Sequence, residues 1–159
     1  MTHILRFVRV FALGTWLGAI LFFSFAVAPG VFGILANRDD AGAVVGFALD
    51  RLHLFGTIAA LVFIVASLAL ARRLEVLVRP YVLFVLLMFF LTLTSSRIVI
   101  PRMDALRERM GSVATTPASD PRRAEFDRLH GISVGLEGSV LLLGLVALFF
   151  TVNPKKDQS

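Results

Sequence analysis

The sequence contains no cysteine. That single absence excludes disulfides, thiolate metal sites, thioether-linked haem and cysteine nucleophiles. Charge is also scarce: 17% of the 159 residues are charged, where a soluble domain carries roughly a quarter. No glycine-rich phosphate loop, HExxH pair or nucleophile–base spacing occurs, so the sequence gives conventional catalysis little support. Apolar and polar residues do not alternate at period two, which argues against a β-barrel. What the chain does have is apolar surface. Hydrophobic residues make up 57% of it, and the mean hydropathy is +0.84. A soluble core of this size cannot hide so much, and lipid is the simplest environment for the excess. The formal charge of +5 could suggest nucleic acid. The basic residues, however, gather at the ends of apolar runs on both sides, which points to membrane orientation and away from a nucleic-acid partner.

Four long apolar runs stand out, roughly Val10 to Ile34, Phe47 to Ala71, Tyr81 to Ile100 and Ile132 to Val152. Each is close to the roughly 20 residues a helix needs to cross about 30 Å of hydrocarbon. In lipid the backbone must satisfy its own hydrogen bonds, so these runs are expected to be helices. The expected fold class is an all-α membrane protein, a four-transmembrane-helix bundle in one domain over residues 1–152. Its helices are expected at about 4–34, 44–72, 79–110 and 124–152, with a flexible loop at 111–121 and a polar tail at 153–159. Ala26-Val27-Ala28 resembles a leader-cleavage site, but the preceding apolar run is too long and Pro29 follows. A retained anchor is expected. With four spans the N-terminus, the second loop and the C-terminus share a side. They carry Arg6, Arg9, Arg72, Arg73, Arg79, Lys155 and Lys156 against Glu75 and Asp157. The expectation is a cell (inner) membrane location with both termini cytoplasmic.

A short repeat runs through the chain. Asp50-Arg51-Leu52-His53 and Asp127-Arg128-Leu129-His130 are the same four residues, each read as opening the second helix of a hairpin. Pro29 and Pro101 are read as ending the two preceding helices. The pattern implies two tandem helical hairpins, related by a pseudo-twofold axis along the membrane normal. His53 and His130 would then lie at one depth. Asp at a helix start also serves as an N-cap, and Arg beside it reaches for lipid phosphates, so the repeat has a purely structural explanation too.

Ionisable groups inside spans point to function by default. Glu137 lies two turns beyond His130, with Ser133 between them on one stripe. Arg97 lies near the outer end of the third helix, within reach of Glu137 or Asp127. The sequence therefore predicts a polar cluster of His53, Arg97, His130, Ser133 and Glu137 in the outer leaflet. An Arg97–Glu137 bridge that merely joins two helices is the structural alternative. Gly14 with Gly18, and Gly131 with Gly135, then Gly138 and Ser139, have the spacing of close helix contacts. Trp16 is expected to pack between helices. Thr15, Ser24, Thr57, Thr92 and Thr94 are expected to bond their own backbone carbonyls.

The runs Arg97-Ile98-Val99-Ile100-Pro101-Arg102-Met103 and Glu125-Phe126-Asp127-Arg128-Leu129-His130-Gly131-Ile132-Ser133-Val134 resemble the two signatures of the transmembrane protein 205-like family. Gly14-Thr15-Trp16 and His53 resemble it as well. The resemblance implies a four-span protein without an established biochemical activity, whose animal members are associated with platinum-drug resistance and vesicle trafficking. It maps functional positions onto Arg97, His130 and Ser133. The chain departs from the family at Glu137, where many relatives carry Asn. More distantly, membrane histidines in four helices resemble copper-resistance and haem-binding membrane proteins, an analogy of fold.

Three functions fit these residues. One is binding or transport of a cation, metal or small solute, with His53, His130 and Glu137 as metal ligands suited to a first-row transition metal. Transport would need a homo-oligomer. A second is a redox protein holding haem b between His53 and His130. A third is a non-catalytic assembly subunit.

Overall fold

The computed structural model describes residues 2–153. The polar tail, including the Lys155, Lys156 and Asp157 of the orientation argument, lies outside the described residues apart from Asn153. Four long helices form: α1 (Thr2–Ile34), α2 (Arg38–Ala71), α3 (Pro80–Met110) and α4 (Pro121–Val152). Each is long and apolar enough to cross a membrane, and no strand occurs among the described residues. The chain is an all-α, four-helix membrane protein.

Local chemistry sets the helix ends. Asn37 caps α2, its side chain accepting from the Asp39 amide at 2.9 Å. Asp120 caps α4 by accepting from the Arg122 amide at 2.8 Å. Such caps satisfy amides that a helix start leaves unpaired. Pro80 and Pro121 begin α3 and α4, where a missing N–H costs nothing. Arg72 ends α2 in the left-handed region at φ 53, and Gly111 ends α3 at φ 73.

These caps correct the reading of the repeat. Helix α2 starts at Arg38, six residues before the expected 44, and α4 starts at Pro121, three before the expected 124. Asp50 and Asp127 therefore sit inside helices rather than opening them. Pro29 and Pro101 do not end helices either: α1 runs on to Ile34 and α3 to Met110. Each proline lacks an N–H and would clash with the carbonyl four residues back. Immediately before each, the helix widens into a π turn, at Phe23–Val27 in α1 and Ser95–Val99 in α3. A wider turn relieves the clash. Both hairpins use this device at the same place, with the proline two residues past the wide turn.

Helix α1 packs on α2 and α4, and α3 packs on the same two. The bundle is a square with neighbours antiparallel, and α2 and α4 face each other across a diagonal. Its main core contains Leu13, Trp16, Leu17, Ile20, Phe63, Val82, Val85, Met88 and Val140. On α4 the buried positions Phe126, Leu129, Ser133, Val140, Gly144, Ala147 and Thr151 recur three, four or seven residues apart, one face of a helix. A second cluster of Val99, Ile100, Met103, Phe126 and Leu129 closes the end where the long loop lies. Phe7, Phe11, Phe22, Phe25, Phe90 and Phe149 are all more than half exposed, which suits contact with lipid tails.

Trp16 is buried between helices, against Gly56. The glycines at close helix contacts are Gly56 and Gly144. A Cβ built at Gly14, Gly18, Gly131, Gly135 or Gly138 would meet nothing within 4 Å. The expected glycine contacts thus do not form within the chain, because those residues lie off the inward stripes. Thr15, Thr57 and Thr94 do bond their own helices, at 2.8, 2.9 and 2.9 Å.

The connection from 111 to 120, read from its composition as flexible, is tied to the helices at several points. Asp39 accepts from the Ser112 hydroxyl at 2.5 Å and from the Val113 and Ala114 amides at 2.9 and 3.2 Å. Arg122 donates to the Arg109 carbonyl at 3.0 Å, and Arg123 donates to the Val113 carbonyl.

Candidate functional site

Position 53 falls on the inward stripe of α2, beside Leu52 and one turn before Gly56. His53 is consequently 3% exposed. Glu137 lies on the inward face of α4 between Ser133 and Val140. Its Oε2 stands 3.3 Å from His53 Nε2, with side-chain exposures of 4% and 12% for His53 and Glu137. The two helices they join are diagonal partners, so this contact passes through the interior of the bundle. Ser133, 6% exposed, lies one turn from Glu137 on the same stripe.

Arg97 and His130 are not brought into this contact. Arg97 follows buried Ser95 by two residues, which turns its side chain outward, and it is exposed. Both of its expected partners are engaged elsewhere: Glu137 with His53, and Asp127 with Arg123 at 3.0 Å. His130 is exposed as well. It lies roughly 70° round α4 from the centre of the buried stripe at about 100° per residue. It is also seven residues from Glu137, roughly 10 Å along the axis. The repeated Asp-Arg-Leu-His therefore places one histidine inside and one outside, and not at one depth. Among the described residues, no group of three or more His, Asp or Glu side chains could hold a metal ion. Two imidazoles facing one gap, as axial haem ligation requires, are likewise not found in this arrangement.

Other polar side chains share the level of the pair. Leu17 and Met88 flank Gly144, so α3 and α4 run antiparallel with Met88 beside Gly144. Seven residues along each helix brings Ser95 level with Glu137. The Phe63 and Tyr81 rings meet at 6.4 Å, and steps of ten residues along α2 and eleven along α3 bring Thr92 about level with His53. Thr92 and Ser95 are 3% and 1% exposed. By residue type Thr92 is expected only to bond its own backbone, and Ser95 stands out in no motif. The signal for both was periodicity, since they continue the inward series Val85, Met88, Thr92, Ser95, Val99.

Two polar atoms at this level lack a partner. His53 Nδ1 and Ser95 Oγ are buried without a hydrogen bond. Which nitrogen of His53 carries its proton decides the roles in the Glu137 contact. With the proton on Nε2 the ring donates to a carboxylate and leaves Nδ1 a bare acceptor. With the proton on Nδ1 the ring accepts from a carboxylic acid and leaves a buried donor unmatched. Either way the pair retains one unmet hydrogen-bonding position, and buried polar groups rarely go without one.

Fold and site together define a multi-pass membrane protein with a buried polar pair across its interior. A family model described as Domain of unknown function (DUF4149) matches residues 11–112. That is well over half of the chain, and the chain belongs to this family. The matched segment contains Trp16, His53, Ser95 and Arg97, while Ser133 and Glu137 lie beyond it. No curated protein and no solved structure gave a significant match.

Proposed function

We propose that this chain is a membrane binding protein whose centre is the His53–Glu137 pair, taking a small cation or a hydrogen-bonding solute. The observation that carries the reading is the pair itself, buried across the bundle diagonal with His53 Nδ1 unpartnered. An ionisable pair is expensive in the interior of a membrane protein. Two packed apolar side chains would hold the helices together as well. What the pair offers beyond packing is a buried hydrogen-bonding contact with one unmet position, at the level of the Ser95 and Thr92 hydroxyls and one turn from Ser133. A cation would find a carboxylate oxygen and an imidazole nitrogen. A solute would find a donor or acceptor at Nδ1.

The positive charge at Arg6, Arg9, Arg72, Arg73 and Arg79 supports an inner-membrane orientation with the termini cytoplasmic. In that orientation the pair lies near the middle of α2 and α4, away from the cytoplasmic helix ends. The likeness of Arg97–Met103 and Glu125–Val134 to the transmembrane protein 205-like signatures supports a kinship with that family, one that assigns no ligand.

Elemental and optical analysis of the purified protein, with the His53→Gln, Glu137→Gln and His130→Gln variants alongside, tests the reading. A bound ion or solute should be lost from the first two and retained by the third. Equal retention in His53→Gln would overturn the proposal. A Soret band dependent on both His53 and His130 would replace it with haem binding.

A further inference from the structure

At the end of the bundle where α1 begins and α4 ends, the helices line a partly open cavity of about 430 Å³. Arg6, Arg9, Thr2 and Tyr81 line it, with Ser67 and Thr151 in its wall. Among the described residues no acidic side chain lines it. Of the hydroxyls that line it, Ser67 donates to the Phe63 carbonyl at 2.8 Å and Thr151 to the Ala147 carbonyl at 2.7 Å, which leaves those of Thr2 and Tyr81 beside the two arginines. Cationic donors are therefore the dominant polar feature of the space.

Arg9 is held in place. Its guanidinium carbon lies 4.9 Å from the Tyr81 ring centroid and 5.8 Å from that of Phe63. Stacking on a ring uses the face of the guanidinium and leaves its N–H edge available. Its Nε is buried and has no hydrogen-bond partner. A guanidinium donor buried without an acceptor is costly. The natural complement is an anion that accepts from two N–H groups at once, as phosphate does.

We infer that this cavity binds a phosphate-bearing anion, with Arg9 as the positioned donor and Arg6 as the second cation. The remaining walls, including Val10, Leu70 and Val152, are apolar. The volume lies within the roughly 300–1,000 Å³ of ordinary ligand sites, more than a bare phosphate needs. Two sources share this chemistry, a phospholipid headgroup and free inorganic phosphate. Neither His53 nor Glu137, which lie near the middle of α2 and α4, is among the residues that line this cavity.

The test uses arginine-labelled full-length protein in a maltoside detergent that contains no phosphate. The Nε–H resonance of Arg9 is identified by its loss in Arg9→Lys. Arg51, stacked on Phe47 at 4.9 Å near the other end, supplies a control resonance. One arm adds inorganic phosphate and the other adds short-chain phosphatidylglycerol. A saturable shift of the Arg9 signal, with Arg51 unmoved, is the expected result. A response to the lipid alone assigns the site to a headgroup, and a response to phosphate assigns it to the free anion. Arg6→Gln should weaken the response about tenfold or more. An Arg9 signal unmoved in both arms, or one that moves equally with Arg51, overturns the inference.

Discussion

Gly56→Ala adds a single methyl group at the tightest place between α1 and α2. A Cβ there would lie 2.6 Å from Trp16 Cε2 and 3.0 Å from Cζ2, where ordinary carbon contacts are about 3.5–4.0 Å. The indole is rigid and 2% exposed, so it cannot rotate away as an aliphatic chain end could. The helices must part by roughly 1 Å, and overpacking of this kind costs about 1–3 kcal/mol. Alanine returns up to about 1 kcal/mol through helix propensity. The net expectation is a loss of about 1–2 kcal/mol. Gly135→Ala is the counterpart: its Cβ meets nothing within 4 Å, so only the favourable propensity term remains. Reversible unfolding in mixed micelles, followed by Trp16 fluorescence, measures both. The chain has one tryptophan, so the signal reports on this contact alone. Gly56→Ala as stable as the parent, with unchanged emission, would refute the packing argument. So would Gly135→Ala as destabilising as Gly56→Ala.

Three further outcomes are expected. Glu137→Ala leaves buried His53 without its partner and should cost about 1–3 kcal/mol, whereas exposed Arg97→Ala should cost well under 1 kcal/mol; the same unfolding assay compares them. Asp39→Ala removes the acceptor shared by Ser112, Val113 and Ala114, and limited proteolysis should then cut the 111–120 connection faster with no change in the helices. The hydrogen bonds from the Arg122 side chain, then its amide, hold the Asp120 carboxyl down at about 2, below its ordinary 3.8. The α4 cap should therefore be intact at pH 4 and be lost only as the pH falls through about 2, which an NMR titration of the labelled carboxyl would follow.

Hydropathy made the four helices legible because span length and apolarity are one-dimensional properties. Helix starts were harder to place. Arg38, Asp39 and Asp40 look like a polar loop, yet Asn37 caps the backbone and the helix takes them in. Pro29 and Pro101 look like helix ends because proline breaks an α turn. The π turns that admit them depend on backbone adjustment, which no composition reveals. Glu137 and His53 were legible as costly polar groups, but their meeting was not. The four-residue repeat suggested that His53 and His130 were equivalent. Local sequence identity fixes neither helix rotation nor depth, and the neighbouring inward stripes turn one histidine in and the other out. Ser95 is one serine in a Thr-Ser-Ser run, and only its place in the α3 stripe sets it apart.

The central claim is that an imidazole and a carboxylate meet inside the bundle. Solid-state NMR in lipid bilayers can measure the dipolar coupling between ¹⁵Nε2 of His53 and the carboxyl ¹³C of Glu137. A small but measurable through-space coupling is expected, consistent with Oε2 at 3.3 Å from Nε2. No measurable coupling, or a carboxyl coupled to the Arg97 guanidinium instead, would contradict the account.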